Sequence, residues 1–119
     1  MKKTIVLGAT TNPDRYGYIA TVRLKKAGHE VIPIGNKKGE IEGIVIENST
    51  PHYAGVDTVT LYLSPDNQKP YYDYILSLKP KRIIFNPGTE NIELMHLARQ
   101  NGIATEVACT LVLLSIGAY

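Results

Sequence analysis

Apolar residues gather along the chain in short continuous runs, separated by segments with helical spacing. Four runs are clear: Thr4 to Leu7, Glu30 to Ile34, Thr58 to Leu63 and Arg82 to Phe85. Ile103 to Val107 forms a weaker fifth. A strand covered on both faces loses the alternation of apolar and polar residues, so these runs predict buried parallel strands. The first helix is predicted after Asn12-Pro13-Asp14. Its apolar stripe is Tyr16, Ile19, Ala20, Leu24 and Ala27, with Lys25 and Lys26 in the last turn and Gly28 as the stop. A second helix starts at Ser64-Pro65, a good N-cap followed by proline at the first helical position. Tyr71, Tyr74, Ile75 and Leu78 then follow at i, i+3, i+4 and i+7, and Lys79-Pro80 ends it. The third helix follows Pro87-Gly88-Thr89, carries Leu94, Leu97 and Ala98 on one face, and stops at Gly102. Gly35 to Asp57 breaks the rhythm. It offers a short strand, Gly43 to Ile46, and a turn at Ser49-Thr50-Pro51, with no connection long enough for a crossover helix. It reads as an edge strand of open direction. The apolar tail from Thr110 to Ile116 reads as a short helix.

Strand–helix–strand alternation implies a parallel sheet with helices on both faces. Right-handed crossovers then fix most of the topology. The expected architecture is α/β: a three-layer, Rossmann-like, doubly wound and mainly parallel sheet in a single domain covering residues 1–119. Its first strand is central and lies beside the strand Thr58 to Leu63. Such sheets bind ligands in the crevice at the C-terminal ends of two such strands.

Composition narrows the function classes. The 119 residues suffice for one core but not for a nucleotide domain plus a separate catalytic domain. A net charge of +2 gives no reason to expect nucleic acid or an anionic membrane as partner. The single cysteine, Cys109, cannot build an intrachain disulfide framework or a Cys-rich zinc site. The apolar stretch near the N-terminus is too short for a signal-peptide core or a membrane span, which points to the cytoplasm.

Four segments carry candidate chemistry. The turn Gly8-Ala9-Thr10 through Arg15 joins the central strand to the first helix, where backbone N–H groups and the helix N-terminus can face a ligand phosphate. Gly8 permits a sharp turn, Thr10 and Thr11 offer hydroxyls, and Arg15 adds a charge. The turn is neither a G-x-G-x-x-G nor a Walker loop. After the second strand, Lys37 and Lys38 stand where an NAD-binding domain places an acid for the ribose hydroxyls. Cations there suit a phosphorylated ribose, the 3′-phosphate of coenzyme A (CoA) or the 2′-phosphate of NADP. Leu63, Ser64 and Pro65, with Tyr62, face the glycine turn across the crevice, and Asn86, Pro87 and Gly88 line the same edge after the next strand. Ordinary turns and helix caps account for each of these segments taken singly.

No catalytic constellation stands out. His29, His52 and His96 lack metal-ligand spacing, and there is no G-x-S-x-G elbow. Cys109 follows the fifth strand and is expected near the ligand edge, where a buried thiol is inert.

Taken together, the motifs resemble the stand-alone CoA-binding domain proteins, which share their fold with the N-terminal domain of the succinyl-CoA synthetase alpha subunit. The resemblance runs over nearly the whole chain. It rests on Val6-Leu7-Gly8-Ala9-Thr10 with Asn12-Pro13 and Arg15-Tyr16, on Lys26-Ala27-Gly28-His29-Glu30-Val31-Ile32-Pro33, and on Gly39-Glu40-Ile41-Glu42-Gly43. Val56-Asp57-Thr58-Val59, Ser64-Pro65, Lys79-Pro80-Lys81, Asn86-Pro87-Gly88-Thr89-Glu90-Asn91 and Cys109 to Leu114 continue it in order. Thr10 stands where serine is commoner, keeping a hydroxyl, and Gly35-Asn36 stands where Asn-Pro is expected, loosening the loop before Lys37.

The resemblance implies a Rossmann-like domain with CoA as cofactor. The family's phosphate turn falls on Gly8, Ala9 and Thr10, its basic residue on Lys37, and its contact segment on Leu63, Ser64 and Pro65. The synthetase's phosphohistidine belongs to a second domain, so its ligase activity does not carry over. The leading expectation is a non-enzymatic module for CoA or acyl-CoA, alone, as a homo-oligomer or with a partner protein. An NADP-binding reductase domain and an interaction subunit with a vestigial pocket are the alternatives.

Overall fold

The structure is a computed structural model describing all residues from 1 to 119. Five strands form one parallel sheet: β1 (Lys3–Leu7), β2 (Glu30–Ile34), β5 (Thr58–Leu61), β6 (Arg82–Phe85) and β7 (Ala104–Val107), in the order β2-β1-β5-β6-β7. All five predicted runs are therefore strands of one sheet. The central place of β1 and its pairing with β5 follow the topology expected from the sequence.

Helices cover both faces. α1 (Tyr16–Lys26) and α5 (Thr110–Ser115) lie on one side. α3 (Tyr72–Leu78) and α4 (Ile92–Gln100) lie on the other. Alternate residues along the strands supply the two cores. Ile5, Leu7, Val59, Leu61, Ile83 and Phe85 pack with Ile75, Leu78, Leu94 and Ala98. Val6 and Val31 pack with Leu24 on the opposite face.

Three local expectations are corrected. The buried stripe of α1 is Gly17, Ala20, Thr21 and Leu24, rotated from the predicted one, while Tyr16 is 67% exposed. Tyr16 opens the helix at the mouth of a cleft, so its side chain has no sheet beneath it. The second predicted helix is broken into α2 (Pro65–Gln68), a 3₁₀ turn (Lys69–Tyr71) and α3. Pro70 has no N–H to donate, and its ring would crowd the carbonyl of residue 66, so a continuous helix cannot pass through it. The predicted edge strand Gly43 to Ile46 is instead an antiparallel pair, β3 (Glu40–Ile41) and β4 (Ile44–Val45), separate from the main sheet. The following residues add an isolated parallel bridge to that sheet, Ile34 to Glu47.

Candidate functional site

The order β2-β1-β5 makes the crevice above β1 and β5 the switch point of the sheet, where one crossover leads to β2 and the next to β5. Tyr62 N–H donates to Leu7 O at 2.8 Å and zips the two strand ends together. Gly8 sits at φ +102°, and a Cβ there would lie 2.8 Å from the Tyr62 carbonyl group. Only glycine combines that conformation with that approach. A Cβ on Gly35 would collide with the Ala9 carbonyl oxygen, so the end of β2 also presses on the turn.

A cleft of about 910 Å³ opens above these glycines. Only five of its nineteen lining residues are hydrophobic, and the lining contains Arg15 and Lys37 but no carboxylate and no histidine. Gly8, Ala9, Thr10, Arg15, Lys37, Leu63, Ser64, Pro87 and Gly88 all line it. Pro65 and Asn86 do not: Pro65 is the first residue of α2, and Asn86 lies below the surface with 2% exposure. Thr11, expected to offer a hydroxyl, and Asn12 of the same turn line it as well, as do Asn36, Asn67 and Tyr71, which were not expected to contact the ligand. Nothing in the local pattern marks Asn67 or Tyr71; only the folded chain brings them to the cleft.

The donors of the phosphate turn are redistributed relative to expectation. The N–H groups of Gly8 and Ala9 both donate to Ile34 O at 2.9 Å, so they serve the fold. Asn12 N–H donates to Thr10 Oγ1 at 3.2 Å and Asp14 N–H to Asn12 Oδ1 at 3.0 Å, which shapes the turn. Thr10, Thr11, Tyr16 and Gly17 line the cleft, and their N–H groups donate to no protein acceptor. These are orphan donors of the kind an anion satisfies at the start of a helix.

Side-chain amides hold the other walls, those of Asn86 and Gln68 buried and that of Asn48 at the surface. Asn86 Nδ2 donates to Thr60 Oγ1 at 2.7 Å and Leu61 O at 2.8 Å, and Asn86 Oδ1 accepts from Thr110 N–H at 2.9 Å. It thereby ties β5 and β6 to the start of α5. Gln68, fully buried, donates to Leu63 O and Thr89 O, both at 2.8 Å, and accepts from Asn91 Nδ2 at 2.9 Å. It fixes the two loops that face each other across the cleft. Asn48 Nδ2 donates to Gly35 O and Lys37 O, both at 2.9 Å, and so orders the loop that the Gly35-Asn36 pair was expected to loosen. Nothing in the sequence marks Gln68 or Asn48, because an isolated Asn or Gln in a polar stretch carries no signal of its tertiary partners; Asn86 was expected at the ligand edge, and the structure turns its side chain to the protein instead. Burial also raises the Tyr62 hydroxyl pKa above its ordinary value; the hydroxyl is shielded from solvent beside Thr60 and Thr110.

Residues 2–115 match the family described as CoA binding domain. The chain belongs to that family. Among solved structures, this CoA-binding domain is 59% identical to a protein described only as uncharacterized. That match covers 100% of this chain and 98% of the other, at a TM-score of 0.98. A conserved hypothetical protein from Pyrococcus furiosus is 26% identical over 94% of this chain and 98% of its own, at a TM-score of 0.83. The dinucleotide-forming acetyl-coenzyme A synthetase 1 of Ca. Korarchaeum cryptofilum, solved with phosphate and ADP, shares the fold. It is 19% identical over 92% of this chain and 26% of its own, at a TM-score of 0.72. No curated protein matches the chain. No helix of this CoA-binding domain is long and apolar enough to cross a membrane.

Proposed function

We propose that the cleft binds CoA, laid across the C-terminal edge of the sheet, and that the chain acts as a binding module rather than a catalyst. The observation that carries this reading is the order of chemistry along that edge. Lys37 follows β2, the Thr10–Arg15 turn follows β1, Tyr62 to Ser64 follow β5, Pro87 and Gly88 follow β6, and Cys109 follows β7. Neighbouring strands are about 4.8 Å apart, so the row spans roughly 19 Å. It runs from a cation, through unsatisfied backbone donors, to an apolar end. CoA has the same polarity: a 3′-phosphate on the adenosine, a diphosphate in the middle, and a long arm ending in sulfur.

In this arrangement Lys37 faces the 3′-phosphate. The N–H groups of Thr10, Thr11, Tyr16 and Gly17, with Arg15, receive the diphosphate. Leu63, Ser64 and Pro87 flank the arm. Pro65 and Asn86 contribute by holding the walls in place. The lining supplies no acid–base pair for turnover. Thermal denaturation with CoA, dephospho-CoA, NADH and NADPH tests the reading. CoA at a hundred times its dissociation constant should stabilise the fold by about 2.7 kcal/mol. Equal or larger stabilisation by NADH or NADPH at matched concentration would reject it.

A further inference from the structure

A second recess of about 180 Å³ adjoins the main cleft. Tyr16, Tyr62, Asn86, Pro87, Cys109 and Leu111 line it, and none of them carries a charge. Tyr16, Tyr62 and Pro87 also line the main cleft, so the two spaces share walls at the β5–β6 side, away from Lys37. The Asn86 amide is engaged by Thr60, Leu61 and Thr110, and the Tyr62 hydroxyl is shielded from solvent. The recess therefore presents rings, methylenes and a thiol to a guest.

We propose that this recess holds the acyl group of a short, uncharged acyl-CoA thioester. The inference rests on the reading that the main cleft binds CoA with its phosphates at the Thr10–Arg15 turn. With that anchor, the sulfur end of CoA arrives on the side where the recess opens. An apolar cavity of about 150 Å³ accommodates benzene in another protein, so this one suits a guest of about six heavy atoms, near butyryl in size. A longer chain exceeds this volume and must leave the recess. A dicarboxylic acyl group would bring a carboxylate against a wall with no cation to pair it, which is strongly unfavourable.

The test is calorimetric titration of the whole chain with CoA and with acetyl-, butyryl-, succinyl- and palmitoyl-CoA. Each methylene buried should tighten binding about fourfold, so butyryl-CoA should bind about fifteenfold more tightly than acetyl-CoA. Succinyl- and palmitoyl-CoA should bind at least tenfold more weakly than butyryl-CoA. If CoA binds but butyryl-CoA binds no more tightly than acetyl-CoA, the acyl assignment is wrong while the CoA reading stands. If no CoA compound binds, the underlying reading fails and this one with it. In Leu111→Phe, whose fold is checked by circular dichroism, the butyryl-to-acetyl preference should fall to about one. A preference that persists in the folded variant would also overturn the assignment. Should that variant not fold, the wild-type series still decides.

Discussion

Asn86 was expected from its position to contact the ligand, yet its side chain is spent on the protein. Replacing it with alanine removes two donated hydrogen bonds and one accepted bond, at 2.7, 2.8 and 2.9 Å, from a residue that is 2% exposed. Leu61 O and the Thr110 N–H lose this partner where water has little access. Each such loss costs about 1–3 kcal/mol, partly offset because Thr60 Oγ1 keeps its bond to Thr110 Oγ1 at 2.8 Å. The expected destabilisation of Asn86→Ala is therefore about 2–4 kcal/mol. For 119 residues each kcal/mol lowers Tm by about 4 °C, giving a drop of about 8–16 °C. Asn86→Asp should be at least as damaging. It keeps the shape but replaces both donors with an acceptor facing Leu61 O. The assay is urea and thermal unfolding followed by circular dichroism. Losses below about 0.5 kcal/mol in both variants would refute the assignment of Asn86 as the clamp between β5, β6 and α5.

Three further outcomes are expected. Lys37→Glu should weaken CoA about three- to tenfold while changing dephospho-CoA less than twofold, as calorimetry would show; an equal loss for both would mean that Lys37 does not read the 3′-phosphate. Stability should decline in acid through His29. Its pKa is lowered by burial and then by the charges of the Met1 amino group, Lys2 and Arg82, and its Nδ1 accepts from Lys2 N–H at 3.0 Å. The unfolded chain therefore takes up that proton first, so this contribution is full above about pH 7 and lost as pH falls through about 6.5 and on to the folded value. His29→Gln should flatten the unfolding free energy between pH 7 and 5, and an unchanged slope would contradict this. Cys109 is a half-buried free thiol in the wall of the recess. Its thiolate should attack CoA disulfide, forming a protein–CoA disulfide and releasing one CoA thiolate. Intact mass should show a reductant-sensitive adduct, and an unmodified mass with CoA binding demonstrated would leave Cys109 as a packing residue.

Much of this architecture is legible in the chain because its strands are buried on both faces. Runs such as Ile83-Ile84-Phe85 cannot be read as anything exposed, and the Gly8 turn between β1 and α1 follows from their alternation with helical segments. The row of ligand-edge loops follows in turn from strand order. What the sequence does not reveal depends on contacts between distant segments. Which N–H groups of the turn remain free is decided by Ile34 O, some 25 residues away, taking those of Gly8 and Ala9. Whether Asn86 faces ligand or core depends on Thr60, Leu61 and Thr110. The pairing of β3 with β4, off the main sheet, leaves no mark on either two-residue segment.

The most direct test of CoA binding at this cleft is a titration of the ¹⁵N-labelled chain with CoA, followed through its backbone amide resonances. Saturable shifts should appear at Thr10, Thr11, Tyr16 and Gly17, whose N–H groups face the proposed diphosphate, and at Lys37 and Leu63 on either side. A saturable response confined to other faces of the sheet, or none at concentrations where NADPH moves the same amides, would contradict the account.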